Sequence, residues 1–547
     1  MHIESDLNPH GSTFQARRKE MIKLVEAVRE LEAKVITLSE KKREKFERRG
    51  QLMPRDRVAL LLDRGRPIIE LCSLAGLGMH DDNGKNKIQG GNSFMGIGWV
   101  SGVRVLVYAH NSAIKGGAIS PMGVKKALRA QEIALQNRLP MVTLAESAGA
   151  NLQYQSELFV EGGRTFANQA KLSAAGIPQV TVVHGSSTAG GAYVPGLSDY
   201  VIMVQKRAKV FLAGPPLVQA ATGEISTDEE LGGADMHFET TGLNEYIAPS
   251  DHEAILIARQ IVASLNWKSN QSVQSSMNDG ALVEHRPPRY SPDELCGVVP
   301  VDYRQPYDPR EVIARLIDDS DFLEFKSGYG SEIVTGHAEV YGQAVGIIAN
   351  QGPIMPEGSV KTAQFIQLCC QSHTPILFLQ NTTGFMVGKD VERNGMVKHG
   401  SKMIQAVANA TVPKITFLIG GAFGAGHYAM CGRAYDPRFI FAWPNNRLSV
   451  MGGQQAGEVM KIITRQNFAR QGKVINEQVE TQLQLFAQPI IDKIDQESSA
   501  LFATARIWDD GIIDPRDSRR LLGELLSVCN EAEAATLKPN IFGVARM

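Results

Sequence analysis

From Val180 to Gly196 the chain reads VTVVHGSSTAGGAYVPG, and from Ile415 to Gly432 it reads ITFLIGGAFGAGHYAMCG. Each is a short β-branched and aromatic run that breaks into glycines. Where a buried strand turns into a helix, the first backbone N–H groups lack intrahelical acceptors. Glycine there lets a second molecule approach the main chain. Two consecutive N–H groups aimed at one point form an oxyanion hole, often the largest electrostatic contribution in acyl chemistry. Gly190 and Gly191 offer such a pair in the first stretch, Ala425 and Gly426 in the second. Close helix–strand packing would select the same residues, so that reading stands beside the catalytic one.

Other chemistries find less support. There is no G-x-S-x-G elbow, no H-E-x-x-H and no Walker lysine loop. The glycines of GIGWVSG (96–102) are wrongly spaced for a dinucleotide fingerprint, and no acidic residue follows at the expected distance. His184 and His427 read as packed or solvated histidines, and Cys431 as a core thiol. No metal site is expected. Chemistry here would rest on anion stabilisation by backbone.

The elements that carry the two glycine clusters are themselves duplicated. Pro140 and Pro375, Pro178 and Pro413, Lys126 and Lys361, and Gly190 and Ala425 are each 235 residues apart, in similar local patterns. Earlier the offset drifts, to 240 for Gly102 and Gly342 and 254 for Glu70 and Glu324. The difference falls on MHDDNGKNKIQGGNS (79–93), which reads as a surface loop. Within each half, short apolar runs alternate with amphipathic stretches such as SPMGVKKALRAQEIALQN, which predicts an α/β fold with mostly parallel sheets. The expected organisation is a helical arm (1–50), an N-terminal domain (51–290) and a C-terminal domain (291–547), with a seam at the Pro-rich EHRPPRYSPDEL.

The bulk properties narrow the partners. Lys and Arg total 57 against 58 Asp and Glu, which gives no basic field for nucleic acid and no polybasic membrane patch. The six cysteines form no C-x-x-C pair, which suggests neither a zinc ribbon nor a disulfide framework and fits a reducing compartment. The first residues, MHIESDLNPHGS, resemble neither a signal nor a transit peptide, and no run approaches ~20 apolar residues. A cytoplasmic location is expected.

SPMGVKKALRAQEIA, AESAGANL, SSTAGGAYVPGLSDYVIMV, FLAGPPLVQAATGE, LGGADMH, LQNTTGFMVG, PKITFLIGGAFGAGHYAMCGRAYDPRF and WPNNRLSVMGG occur in order across both halves. Together they resemble the carboxyltransferase (β) subunits of biotin-dependent acyl-CoA carboxylases. That resemblance implies a tandem pair of crotonase-like domains. It implies a site formed between the N-half of one subunit and the C-half of another, in a hexamer within a dodecamer. Biotin would arrive as carboxybiotin on a separate α subunit carrying the biotin carboxylase and carrier functions, in keeping with the lack of an A-M-K-M motif here. By the same resemblance, Gly190 and Gly191 would hold the thioester oxygen of an acyl-CoA as it becomes an enolate. Ala425 and Gly426 would hold the ureido oxygen of biotin. Lys115, Gly116 and Gly117, with Ala148, Gly149 and Ala150, would approach CoA. Thr383, Gly384, Phe385 and Gly424 would border biotin. Lys115 reads equally well as a surface lysine.

The pattern is similar to the methylcrotonyl-CoA and geranyl-CoA branch of that family. The methylcrotonyl type carries Phe-Gly-Arg where this chain has Gly162-Gly163-Arg164. A glycine in place of a ring opens space for a longer isoprenoid chain, at about 0.8 kcal/mol per CH₂ buried. Geranyl-CoA is therefore the expected substrate, with 3-methylcrotonyl-CoA as the alternative should Gly162 be a plain loop glycine. A crotonase-type hydratase or isomerase, a carboxyltransferase of the decarboxylase type and a non-catalytic scaffold remain as further readings.

Overall fold

Buried, β-branched segments form the strands, and the amphipathic stretches between them form the covering helices. The computed structural model describes residues 1–267, 285–471 and 476–544. Among these, one sheet holds β1 (Ile69–Glu70), β2 (Ser93–Val100), β3 (Val103–His110), β4 (Met141–Ser147), β5 (Gln179–Thr188), β6 (Tyr200–Val204), β7 (Lys209–Phe211) and β8 (Tyr246–Ala248). Its order is β1-β2-β3-β4-β5-β6-β8, with β7 paired to β5. A second sheet holds β9 (Leu323–Glu324), β10 (Ile333–Val340), β11 (Gln343–Asn350), β12 (Ile376–Thr382), β13 (Lys414–Phe423), β14 (Phe439–Ala442) and β15 (Arg447–Ser449). Its order is β14-β13-β12-β11-β10-β9, with β15 paired to β13. The first three strands of each sheet pair antiparallel and the rest pair parallel. Every residue of β2, β3 and β13 is buried, as expected of strands covered on both faces.

The duplication holds down to single hydrogen bonds. In β4–β5 the register shifts before Ser147 meets Ser187; in β12–β13 it shifts before Thr382 meets Ala422, both partners 235 residues on. Buried Lys126 donates from Nζ to the carbonyls of Gly90 and Ser93, at 3.0 and 2.7 Å. Lys361 does the same to Gly330 and Ile333, at 3.5 and 2.8 Å. Burial pushes Lys126 down to about 8. Each tethers a helix, Pro121–Gln136 or Pro356–Gln371, to the chain entering its sheet. Arg259 donates to Leu61 O and Asp63, and Arg519 to Leu316 O and Asp318.

By packing, the chain forms two compact units. One comprises Arg29–Gly280, Ala505–Ile507 and Val528–Met547; the other comprises Met1–Val28, Ala281–Thr504 and Trp508–Ser527. Helix Ser12–Glu40 of the arm buries Phe14, Met21, Val25, Val28 and Val35 at helical spacing. The polar stretch 79–93 is a loop organised by Asp82, whose carboxylate accepts the N–H groups of Gly78, Gly84 and Gln89 at 2.7–3.0 Å. It is a surface loop only in part: Ile88 is fully buried, and the segment from Gln89 to Ser93 is buried because it leads into β2. Among the described residues, no helix is long and apolar enough to cross a membrane.

Candidate functional site

In the first-sheet unit, a cavity of about 320 Å³ opens between the sheet and helices Pro121–Gln136 and Gln155–Ala174. Gly190 and Gly191 line it, in the tight turn that follows β5. Ala189 enters that turn with φ +52°. A methyl group placed on Gly190 would meet only the Phe166 ring, at 3.4 Å, and one on Gly191 would come no nearer than 3.5 Å to any atom. Internal packing therefore does not require glycine at either position. Gly185 is different: a Cβ there would lie 2.6 Å from the Glu146 carboxylate, so that glycine is a packing requirement.

Ala148, Gly149 and Ala150 also line the cavity, in the turn after β4. Ser147 holds this turn. Its hydroxyl donates to Gly117 O at 3.0 Å and accepts from Gly149 N at 3.1 Å. Ile119 N donates to Gly149 O at 2.9 Å. Lys115, Gly116 and Gly117 form a neighbouring turn in which all three residues have positive φ. A Cβ on Gly117 would fall 2.2 Å from Glu146 O, so the close approach of the two turns demands glycine. Lys115 is half-exposed and pairs with Asp81.

Gly162 lies within helix Gln155–Ala174, not in a loop, and lines the cavity. A Cβ on it meets nothing within 4 Å. Gly163 is exposed and does not line the cavity. The rest of the wall includes Tyr108, Gln131, Thr143, Phe166, Gln169 and Gln179, which glycine and motif reasoning passed over. The 235-residue repeat carried a signal for them: Gln131, Thr143 and Gln169 stand where the second half has Ile366, Phe378 and Ile404. Among the described residues, no carboxylate lines this cavity.

Behind the strand ends is a buried charged network that motif reasoning also missed. Arg57 pairs with Glu146 at 2.5 Å and with Asp251 at 3.4 Å, and His184 Nδ1 meets Asp251 at 2.8 Å. Burial, with the Arg57 charge, pulls His184 down to about 4, so the ring is neutral and Nδ1–H donates. Burial alone would raise Asp251; the His184 hydrogen bond and the Arg57 charge outweigh it and hold the carboxyl well below its ordinary range. Such a network is costly to break, because losing one partner strands a buried charge. It fixes the backbone at Glu146, next to the Ser147 turn.

The second-sheet unit repeats the turns, and packed apolar residues such as Ile366 and Phe378 stand where the first has its cavity wall. Gly424, Ala425 and Gly426 open helix Gly424–Ala429, and Gly424 has φ +54°, as Ala189 has +52°. Gly384 N donates to Thr382 Oγ1 at 3.1 Å, and Ile354 N to Gly384 O at 2.9 Å, the same bonds as Gly149 and Ile119 make. Here a Cβ on Gly426 would lie 2.8 Å from Gly384 Cα, so packing alone selects that glycine. Thr383 is partly exposed, and the Phe385 ring packs on the core that includes Phe378 and Met403. Met386, Val387, Val450 and Met451 are exposed, and Val450 O approaches Gly424. Backbone donors beside exposed apolar side chains fit a ureido group on an apolar bicycle. His427 is buried and pulled down to about 4.

The carboxyl transferase domain family matches residues 45–541. The crystal structure of the β subunit of P. aeruginosa geranyl-CoA carboxylase is 54% identical and superposes with a TM-score of 0.91 over 100% of both chains. A probable mitochondrial methylcrotonoyl-CoA carboxylase β chain from Drosophila melanogaster is 45% identical over 100% of this chain and 95% of its own length. The biotin-dependent 3-methylcrotonyl-CoA carboxylase β1 subunit of Mycobacterium tuberculosis is 46% identical over 93% and 94%.

Proposed function

The chain belongs to the carboxyl transferase family of biotin-dependent acyl-CoA carboxylases, and on that premise we propose that it is the β subunit that carboxylates geranyl-CoA. The observation that carries the substrate is the open space at Gly162, on the wall of an apolar cavity that reaches the Gly190–Gly191 turn. A branched ten-carbon acyl chain fills such a cavity, and each additional buried CH₂ favours it by about 0.8 kcal/mol. The similarity to a geranyl-CoA carboxylase subunit over the full chain supports the same reading.

In this mechanism the cavity removes the acyl chain from water, and the Ser147-braced turn with Lys115–Gly117 seats the CoA arm. The N–H groups of Gly190 and Gly191 hold the thioester oxygen. As a proton leaves the methyl group conjugated with the thioester, negative charge spreads to that oxygen, where fixed backbone donors stabilise it without reorganisation. The new C–C bond then forms at the same methyl carbon. Thr383, Gly384, Phe385 and Gly424 would hold biotin, with Ala425 and Gly426 on its ureido oxygen. Carboxybiotin held there would supply the carboxyl group and the nitrogen that accepts the proton. No carboxylate base is needed in the cavity, and none lines it among the described residues; a hydratase or isomerase would need one. The biotin comes on an α subunit. A homohexamer within a dodecamer, acting in the cytoplasm, completes the proposal.

The test is a substrate panel with a biotinylated α subunit, ATP and labelled bicarbonate. Label is expected to enter geranyl-CoA at the highest kcat/KM. Highest kcat/KM with methylcrotonyl-CoA would overturn the substrate and keep the family.

A further inference from the structure

The turn that presents the Gly190 and Gly191 N–H groups is not held as its counterpart is. In the second-sheet unit, Gly426 lies in helix Gly424–Ala429, and its carbonyl accepts from Met430 N at 3.0 Å, the ordinary fourth-residue bond of a helix. Gly426 is also wedged against Gly384. In the first-sheet unit the residue 235 places before Met430 is Pro195, which has no N–H to give. The segment runs instead as a short 3₁₀ turn, Ala189–Ala192, followed by a single helical turn, Tyr193–Gly196. The Tyr193 N–H is shared between the carbonyls of Gly190 and Gly191.

A side chain supplies the missing donor. Ser187, near the end of β5, is buried, and its Oγ donates to Gly191 O at 2.8 Å. Its counterpart is Ala422, which has no hydroxyl. The two exchanges go together. Where the fourth-residue N–H is present the strand carries alanine; where proline removes it the strand carries serine. Packing does not fix the first-sheet turn, because a methyl group fits on both Gly190 and Gly191. The far end of the segment is anchored separately, with Val194 O accepting from Gln169 Nε2 at 2.7 Å and from Ser198 Oγ at 2.8 Å. Ser187 itself does not line the acyl cavity.

We propose that Ser187 is a positioning residue for the reaction: by holding the Gly191 carbonyl it fixes the direction from which the Gly190 and Gly191 N–H groups meet the thioester oxygen. Paired donors stabilise developing charge best when they are oriented before the charge appears, and two unconstrained glycines leave the main chain free to turn away. The inference rests on the reading of this turn as the oxyanion site. It is independent of which acyl chain fills the cavity, since every candidate substrate brings the same thioester.

The experiment joins infrared spectroscopy to kinetics. Geranyl-CoA, or methylcrotonyl-CoA should the panel prefer it, is isotope-labelled at the thioester carbonyl. It is bound to the wild-type chain, to Ser187→Ala and to Ser187→Ala/Pro195→Ala, in which residue 195 regains an N–H for Gly191 O. The carbonyl stretch is expected at lower frequency on the wild type than in water, with a smaller shift in Ser187→Ala and the full shift again in the double variant. With a biotinylated α subunit, ATP and bicarbonate, kcat of Ser187→Ala is expected to fall about tenfold while KM stays within about twofold, and the double variant is expected to recover most of the loss. An unchanged stretch or an unchanged kcat in Ser187→Ala overturns the proposal, as does a loss that Pro195→Ala leaves unrepaired. A wild-type stretch equal to that in water overturns the oxyanion reading itself, and the proposal with it. If Ser187→Ala fails to fold, Ser187→Cys, a weak S–H donor, takes its place under the same criteria.

Discussion

The acyl cavity and its counterpart in the other unit are built from the same strands, the same helices and the same pair of backbone turns. On one side Thr143 and Ala150 are small and leave space. On the other their counterparts Phe378 and Phe385 place rings there; Phe378 belongs to a buried core and Phe385 packs against it. The turns carry the hydrogen bonds that shape them, so they survive in both copies. The volume between sheet and helices answers only to side-chain size, so a few exchanges convert a core into a pocket. The glycines follow the same division. Gly426 is demanded by its neighbour Gly384, whereas Gly190 and Gly191 have room for a methyl group.

Four changes test this contrast. Filling the cavity has the largest expected effect. Gly162→Phe places a ring where a Cβ meets nothing, so the fold should hold. Losing the burial of about five acyl carbons at about 0.8 kcal/mol each lowers kcat/KM for geranyl-CoA by about 10³-fold relative to methylcrotonyl-CoA. Full geranyl-CoA activity in this variant would sink the pocket argument.

Emptying the core comes next. Phe378→Ala should cost about 3–5 kcal/mol in urea unfolding, because a fully buried ring leaves a cavity. Thr143→Ala, at the equivalent place on an existing cavity, should cost under about 1 kcal/mol. Equal losses would mean that the two halves are packed alike.

The glycines offer a smaller contrast. Gly426→Ala forces Cβ against Gly384 Cα and should destabilise by about 1–3 kcal/mol. Gly190→Ala should stay within about 0.5 kcal/mol of wild type in thermal melts. A reversed order would assign Gly190 to packing.

Acid sensitivity supplies the fourth test. Burial pulls His110 and His184 in the acyl half, and His427 in the other, from 6.5 to about 4. Between these values the unfolded chain takes up protons that the folded chain refuses. Stability is therefore fully present above pH 6.5 and falls as pH drops towards 4. Tm should decline across that window, less steeply in His184→Gln. A flat Tm from pH 6.5 to 5 would show that these rings charge within the fold.

Much of this was legible in residue order. The repeat of prolines, lysines and glycines at one offset announced two copies of an α/β unit, because strand length, helix length and turn geometry constrain spacing directly. The glycine clusters marked the ends of β5 and β13. The cavity wall was less legible: Gln131, Thr143 and Gln169 are ordinary helix and strand residues, and only their apolar counterparts in the repeat set them apart. The charged network was hidden as well, since Arg57, Glu146, His184 and Asp251 lie up to 194 residues apart in the chain.

The sequence by itself determined the fold class, the duplication and the two backbone turns, because local hydrogen bonding and periodicity are written in neighbouring residues. Only the tertiary structure decided that the first copy opens an acyl cavity where the second packs Phe378 into a core, that Gly162 faces that cavity from within a helix, and that Gly190 is free where Gly426 is constrained. Those properties depend on distances between segments far apart in the chain, and empty space has no residue of its own to announce it.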